Sequence, residues 1–187
     1  MIPFAPCVDA VRYRGKVYRF DPDFHAVFRA MEQLERRDLL PEIRTEKALR
    51  CLVRGRLPRD QAGLLSLIWQ ALFPRRAVRG GPPVISYVQD EDRIIAAFWQ
   101  AYGIDLTSCR LHWRLFQALL GNLPGDTRMA EIAALRAQPM PPPNKHNRAA
   151  RERLARAKAS VAIKGEQTAQ RSADALGLAI MKLVERM

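Results

Sequence analysis

Apolar side chains recur in this chain at spacings of three and four, and each stripe is cut short by proline or glycine after a few turns. Phe24, Val27, Phe28, Met31 and Leu34 form the first stripe. After Pro41 comes a second, with Ala48, Leu49, Leu52 and Val53, ended by Gly55. A third opens at Pro58 and Asp60 and runs through Leu64, Leu65, Leu67, Ile68, Trp69 and Leu72 to Phe73-Pro74. Such stripes are the apolar faces of short helices that must pack on one another. The third is apolar around much of its circumference and is expected to be the most buried. The expected fold is therefore mainly α, a compact multi-helix domain with a small N-terminal β-hairpin and a C-terminal helical extension.

The hairpin comes from Val8, Ala10, Val11 and Tyr13 leading into Arg14-Gly15, with Val17, Tyr18 and Phe20 returning. A bare two-stranded ribbon is marginal in water, so it is expected to lie on the helices or to pair with another chain. Asp21-Pro22-Asp23 supplies a helix start, read with Asp21 as N-cap and Pro22 at the first helical position. Thr45 is read as the cap of the second helix. Arg75 to Pro83 is a basic connector, and Pro82 and Pro83 lack the amides that a phosphate-cradling loop needs. The second half expects a helix near Asp90 with Ile94, Ile95, Phe98, Trp99 and Tyr102 on its apolar side and Gly103 as its stop. Another follows from Leu111 to Leu120. A last short one, capped by Asp126 or Thr127, carries Met129, Ile132, Ala133 and Leu135.

The net charge is +12, and half of that excess falls in residues 137–187, which hold 10 basic and 4 acidic side chains. Pro139, Pro141, Pro142 and Pro143 make an extended linker. Beyond it Ala150, Leu154, Ala157 and Val161, then Ala169, Ala173, Leu176, Ile180 and Leu183, define a narrow apolar seam interrupted by Gly165. The expected organisation is a body over 1–138, a linker over 139–147 and a basic, Ala-rich helical tail over 148–187. A nearly neutral body with a basic appendage points to an acidic partner: a protein surface, nucleic acid or a membrane surface. The candidate partner-binding residues are Arg148, Arg151, Arg153, Arg156 and Lys158 on the basic face, and Leu176, Ile180 and Leu183 on the seam.

Candidate catalytic features reduce to structure. Asp90-Glu91-Asp92 suits a helix N-terminus without a metal. His112 has no nucleophile or acid at a spacing that identifies a triad, and Trp69, Trp99 and Trp113 all sit in helical apolar runs and are read as core. Cys7, Cys51 and Cys109 are odd in number and widely separated, so buried or half-buried thiols are expected rather than a disulfide framework or a zinc site. No apolar run approaches the ~20 residues of a membrane span. The segment Met1–Pro6 lacks the pattern of a secretory signal. The reading is a non-enzymatic protein with no cofactor and no metal, acting in a bacterial cytoplasm without a membrane partner.

The segment from Ile85 to Arg136 carries a more specific pattern. Tyr102-Gly103-Ile104-Asp105-Leu106, Leu111-His112-Trp113, Phe116-Gln117-Ala118-Leu119-Leu120, and Leu123-Pro124-Gly125-Asp126-Thr127 before Ile132 and Arg136 resemble the bacteriophage family named for its "gene product fifteen". The Asp21–Phe24 helix start and the acidic Asp90–Asp92 opening fit that resemblance, which spans most of residues 10–136. Arg114 stands where members commonly carry a second tryptophan, and the proline linker and basic tail are unlike the usual ending. The resemblance implies a tail-assembly, chaperone-like protein encoded near the tape-measure gene of long-tailed phages and prophages. Its implied partners are the tape measure and tail-tube subunits, with self-association open. The competing expectation is a basic nucleic-acid-binding phage protein.

Overall fold

The computed structural model describes residues 8–73 and 84–164. They form seven helices and one two-stranded antiparallel ribbon, so the fold is mainly helical, with an N-terminal β-hairpin and a C-terminal helical extension. The described chain divides into two compact units, one of 8–73 with 109–119, the other of 84–108 with 120–164.

In the first unit, β1 (Ala10–Tyr13) pairs with β2 (Lys16–Arg19), Ala10 opposite Arg19 and Arg12 opposite Val17. Arg14 and Gly15 both take positive φ, 48° and 78°, the backbone twist that a two-residue hairpin turn needs. Three helices follow: α1 (Phe24–Glu35), α2 (Pro41–Leu52) and α3 (Gln61–Leu72). The ribbon lies on α3. Asp60, the N-cap of α3, accepts from the Gly63 amide at 3.0 Å through one carboxylate oxygen. Its other oxygen accepts from the Tyr13 hydroxyl at 2.5 Å and from Arg14 at 2.8 Å. These bonds hold the Asp60 carboxyl below the ordinary carboxylate range, with the Tyr13 hydroxyl the largest cause.

Two helix starts differ from expectation. α1 begins at Phe24 with Asp23 as N-cap, accepting from the His25 amide at 3.1 Å. Asp21 and Pro22 lie outside the helix because the returning segment 109–119 engages them. Arg110 donates to both Asp21 carboxylate oxygens at 2.7 and 2.8 Å, and the Trp113 amide donates to the Pro22 carbonyl at 2.7 Å. Leu111 completes the splice, its amide donating to Asp23 and its carbonyl accepting from the Phe24 amide. In α2, Pro41 occupies the first turn, and Thr45 is buried inside the helix, its hydroxyl donating to the Pro41 carbonyl at 2.9 Å. The splice carries aromatic side chains of the returning segment into the core. Phe24 stacks on Phe116 with centroids 5.0 Å apart, and Phe28 meets Trp113 and Phe116 edge-on. Trp69 and Trp113 are buried.

The second unit holds α4 (Glu91–Tyr102), α6 (Arg128–Ala137) and α7 (Arg148–Ser160); α5 (Trp113–Gly121) ends at its border. Gly103 ends α4 in the left-handed region at φ 65°, its amide reaching the Phe98 and Trp99 carbonyls. Thr127 caps α6, accepting from the Ala130 amide at 3.3 Å. Ile94, Ala97, Phe98, Met129 and Ile132 are buried. Trp99 departs from the core reading, with 63% of its surface exposed. At about 100° per residue it stands ~140° around α4 from Ile94, beyond the edge of the buried face.

A Cβ at Gly63 would overlap the Tyr13 hydroxyl. Gly63→Ala should therefore cost about 1 kcal/mol in chemical unfolding, as the lost Tyr13–Asp60 bond outweighs alanine's better helix propensity. In a Tyr13→Ala background, which removes both the hydroxyl and the ring Cζ that stands 3.0 Å from that Cβ, the same change should be neutral or stabilising. A cost that persists there would show that the Tyr13 side chain is not the obstacle.

Candidate partner-binding site

The basic residues singled out in the tail fall on α7, and the helix sorts them into two sets. At about 100° per residue, Leu154, Ala157 and Val161 share one side with Arg151 and Lys158. All five are half-buried. Arg148, Arg153 and Arg156 spread over an arc of ~140° on the other side and are exposed.

Lys158 has a structural task. Its ammonium donates to the carbonyls of Leu135, Arg136 and Gln138 at 3.2, 2.8 and 2.5 Å. It thereby satisfies acceptors that the last turn of α6 leaves without intrahelical partners, and it sits at the negative end of that helix. Arg151 donates to the Pro141 carbonyl at 2.8 Å and so ties α7 to the proline segment. Asn147 closes that loop from the other side, donating to the Pro142 carbonyl and accepting from the Asn144 amide. Arg148 pairs with Glu152 one turn on at 3.0 Å, with 89% of its side chain exposed, so the pair is too solvated to add much stability. Leu176, Ile180 and Leu183 lie outside the described residues.

The seat of α7 is a buried ion pair that the sequence reading did not anticipate. Asp90 is fully buried and Arg136 has 8% of its side chain exposed. The guanidinium donates to both carboxylate oxygens at 2.6 and 3.0 Å, to the Val84 carbonyl at 2.9 Å and to the Val161 carbonyl at 2.6 Å. Asp90 also accepts from the Ser86 amide at 2.9 Å and from Arg93 at 2.8 Å. One side chain of α6 therefore joins the entry to α4 and the C-terminal end of α7. Burial raises the Asp90 carboxyl, but the hydrogen bonds from Arg136 and Ser86 and the Arg136 charge outweigh it and hold the group below the ordinary carboxylate range. Gln89 adds a further tie, its amide bonding both the Lys164 carbonyl at 2.6 Å and the Lys164 amide at 3.0 Å.

The other candidate residues have local roles. His112 precedes α5, and its Nδ1 accepts from the Arg114 amide at 3.1 Å, so it caps that helix. Glu91 and Asp92 are exposed in the first turn of α4. Among the described residues no group of three His, Cys, Asp or Glu side chains is placed to hold a metal ion. No helix there is long and apolar enough to cross a membrane. Cys51 and Cys109 are half-buried, and burial raises the Cys51 thiol.

The family model described as bacteriophage Gp15 protein matches residues 70–163. The chain belongs to the bacteriophage Gp15 protein family. The matched stretch takes in the proline segment and all of α7, which the sequence pattern sets apart from the family, and it begins after the Asp21–Phe24 helix start. The Asp90–Arg136 pair and the Lys158 anchor are thus inside the Gp15-family region. No curated protein and no solved structure matches the chain.

Asp90→Asn leaves Arg136 charged and buried without its counter-charge. It should lower stability by about 3–5 kcal/mol at neutral pH in urea unfolding. A carboxyl depressed in the folded state stabilises above its unfolded pKa of about 3.9 and loses that contribution as pH falls through the native value. The gap between the two proteins should therefore hold above about pH 5 and close in stronger acid. A gap independent of pH would remove the charge from the explanation.

Proposed function

We propose that this Gp15-family chain is a non-enzymatic tail-assembly factor that binds the tape measure or the tail-tube subunits in the bacterial cytoplasm during tail morphogenesis. The observation that carries the reading is the family match running through α7, the helix that presents Arg148, Arg153 and Arg156 to solvent. Binding of this kind needs no bond chemistry. It needs a folded surface that covers another chain's apolar strips and matches its charge until polymerisation takes over. The exposed arginine arc would meet acidic positions of a helical partner. Trp99 supplies an aromatic side chain of the sort that anchors interfaces. Leu176, Ile180 and Leu183, outside the described residues, remain proposed apolar contacts for the partner.

Deleting residues 144–187 is a poor test, because it also removes Lys158 and Val161 from their bonds to α6. Charge reversal is cleaner. Arg148→Glu, Arg153→Glu and Arg156→Glu together should leave the melting temperature within a few degrees of wild type. The same variant should lower capture of co-expressed tape measure or tail-tube subunit at least tenfold. Lys158→Glu should instead lower the melting temperature. Undiminished capture of both partners by the triple variant would refute α7 as the binding surface. Micromolar binding to random duplex DNA with a steep salt dependence would favour the nucleic-acid reading.

A further inference from the structure

The first unit carries a second concentration of positive charge, outside the residues matched by the family model. Arg12, Lys16 and Arg19 stand on the ribbon, and Arg54 and Arg56 on the turn after α2; all five are exposed. None of them has an ion-pair partner among the described residues, whereas nearby Arg14 and Arg50 are paired with Asp60 and Glu46.

The two sources of charge are held side by side by the backbone. Phe20 and Val53 form an antiparallel bridge, and the Asp21 amide donates to the Leu52 carbonyl at 2.8 Å. The chain then leaves the ribbon at Gly55, whose φ of +107° is a conformation that side-chain-bearing residues rarely adopt. Arg50 fixes that turn by donating to the Gly55 carbonyl at 3.0 Å. Arg54 and Arg56 are thus presented from a braced turn at the end of β2.

The register sorts the ribbon. Arg12 lies opposite Val17 and Ala10 opposite Arg19, so Arg12, Val17 and Arg19 share one face, and Val17 has 60% of its surface exposed. Tyr13, on the other face, is the side chain held at α3. The Phe20 amide donates to Asp9 across the ribbon, so by alternation the Val17 and Arg19 backbone groups point away from β1. That outer edge is already paired at Asp21 with Leu52, and the pairing stops where Gly55 turns the chain aside.

We infer that the outer edge of β2, with Arg12, Arg19, Arg54 and Arg56 around Val17, is a docking surface for an extended acidic segment of another protein. A second copy of this ribbon would bring like charges together, which disfavours self-pairing. A phosphate backbone would use the arginines but leave the exposed Val17 without a partner. An extended peptide with alternating carboxylate and apolar side chains uses both, and adds backbone bonds to the Val17 groups. The free edge is short, so the arginines supply most of the affinity. This surface does not depend on the assembly role proposed for α7.

The test uses the full chain and a fluorescein-labelled eight-residue peptide of alternating valine and glutamate, read by anisotropy. A valine–lysine peptide and a random 20-base-pair duplex are run beside it. The glutamate peptide should bind, weaken with salt, and lose at least tenfold in affinity with Arg19→Glu plus Arg54→Glu. Val17→Asp should lower its affinity as well. The triple α7 charge reversal should leave it unchanged, and circular dichroism should report the same fold for every variant. Equal binding of the lysine peptide, tighter binding of the duplex, or indifference to the Arg19 and Arg54 reversals would each overturn the proposal. So would concentration-dependent dimerisation that the glutamate peptide fails to compete away.

Discussion

A carboxylate removed wholly from water costs several kcal/mol unless its charge and lone pairs are met by partners inside the protein. Asp90 is in that position, and Arg136 meets it with two hydrogen bonds from one planar group. The guanidinium has donors left over and spends them on the Val84 and Val161 carbonyls. In the second unit this one pair ties together the entry to α4, the α6 helix and the end of α7. The apolar contribution from α7 is small, because none of its residues is buried. Its seat is made instead by charged donors reaching backbone acceptors in both directions, Lys158 to the carbonyls at the end of α6 and Arg136 to the Val161 carbonyl at the end of α7.

The first unit solves a different problem. Its largely aliphatic core holds an aromatic cluster, and two of the large side chains in it, Trp113 and Phe116, arrive from a segment far along the chain. The splice of Pro22, Asp23 and Phe24 with Leu111 and Trp113 uses backbone and carboxylate hydrogen bonds to fix where those rings enter. Moving the helix start from Asp21 to Asp23 is the local consequence, since Asp21 and Pro22 are occupied by Arg110 and the Trp113 amide.

The positive charge of this family member is divided by function in the physical sense. Arg136, Lys158 and Arg151 are spent on carbonyls and a carboxylate within the second unit. Arg148, Arg153 and Arg156 on α7, and Arg12, Arg19, Arg54 and Arg56 on the first unit, face solvent. Net charge alone therefore overstates what is available to a partner, and the seemingly uniform basic tail contains two kinds of residue.

Sequence alone established the helical stripes, the opening of α3 at Pro58 and Asp60, a cap for α6 at Asp126 or Thr127, the stop at Gly103, the hairpin turn and the extension. These are local: each is set by residues within one or two turns of one another. Trp99 was legible in principle from its angle on α4, but hydrophobicity masked it, because composition does not say which face of a helix finds a neighbour. Asp90 and Arg136 are 46 residues apart, and no spacing rule couples them. The same holds for Lys158 and the end of α6, and for Phe20 and Val53 beside the arginines. The sequence settled which elements form. The tertiary structure decided which charges are buried and which are offered to a partner, because that choice is made by contacts between segments that carry no local mark of each other.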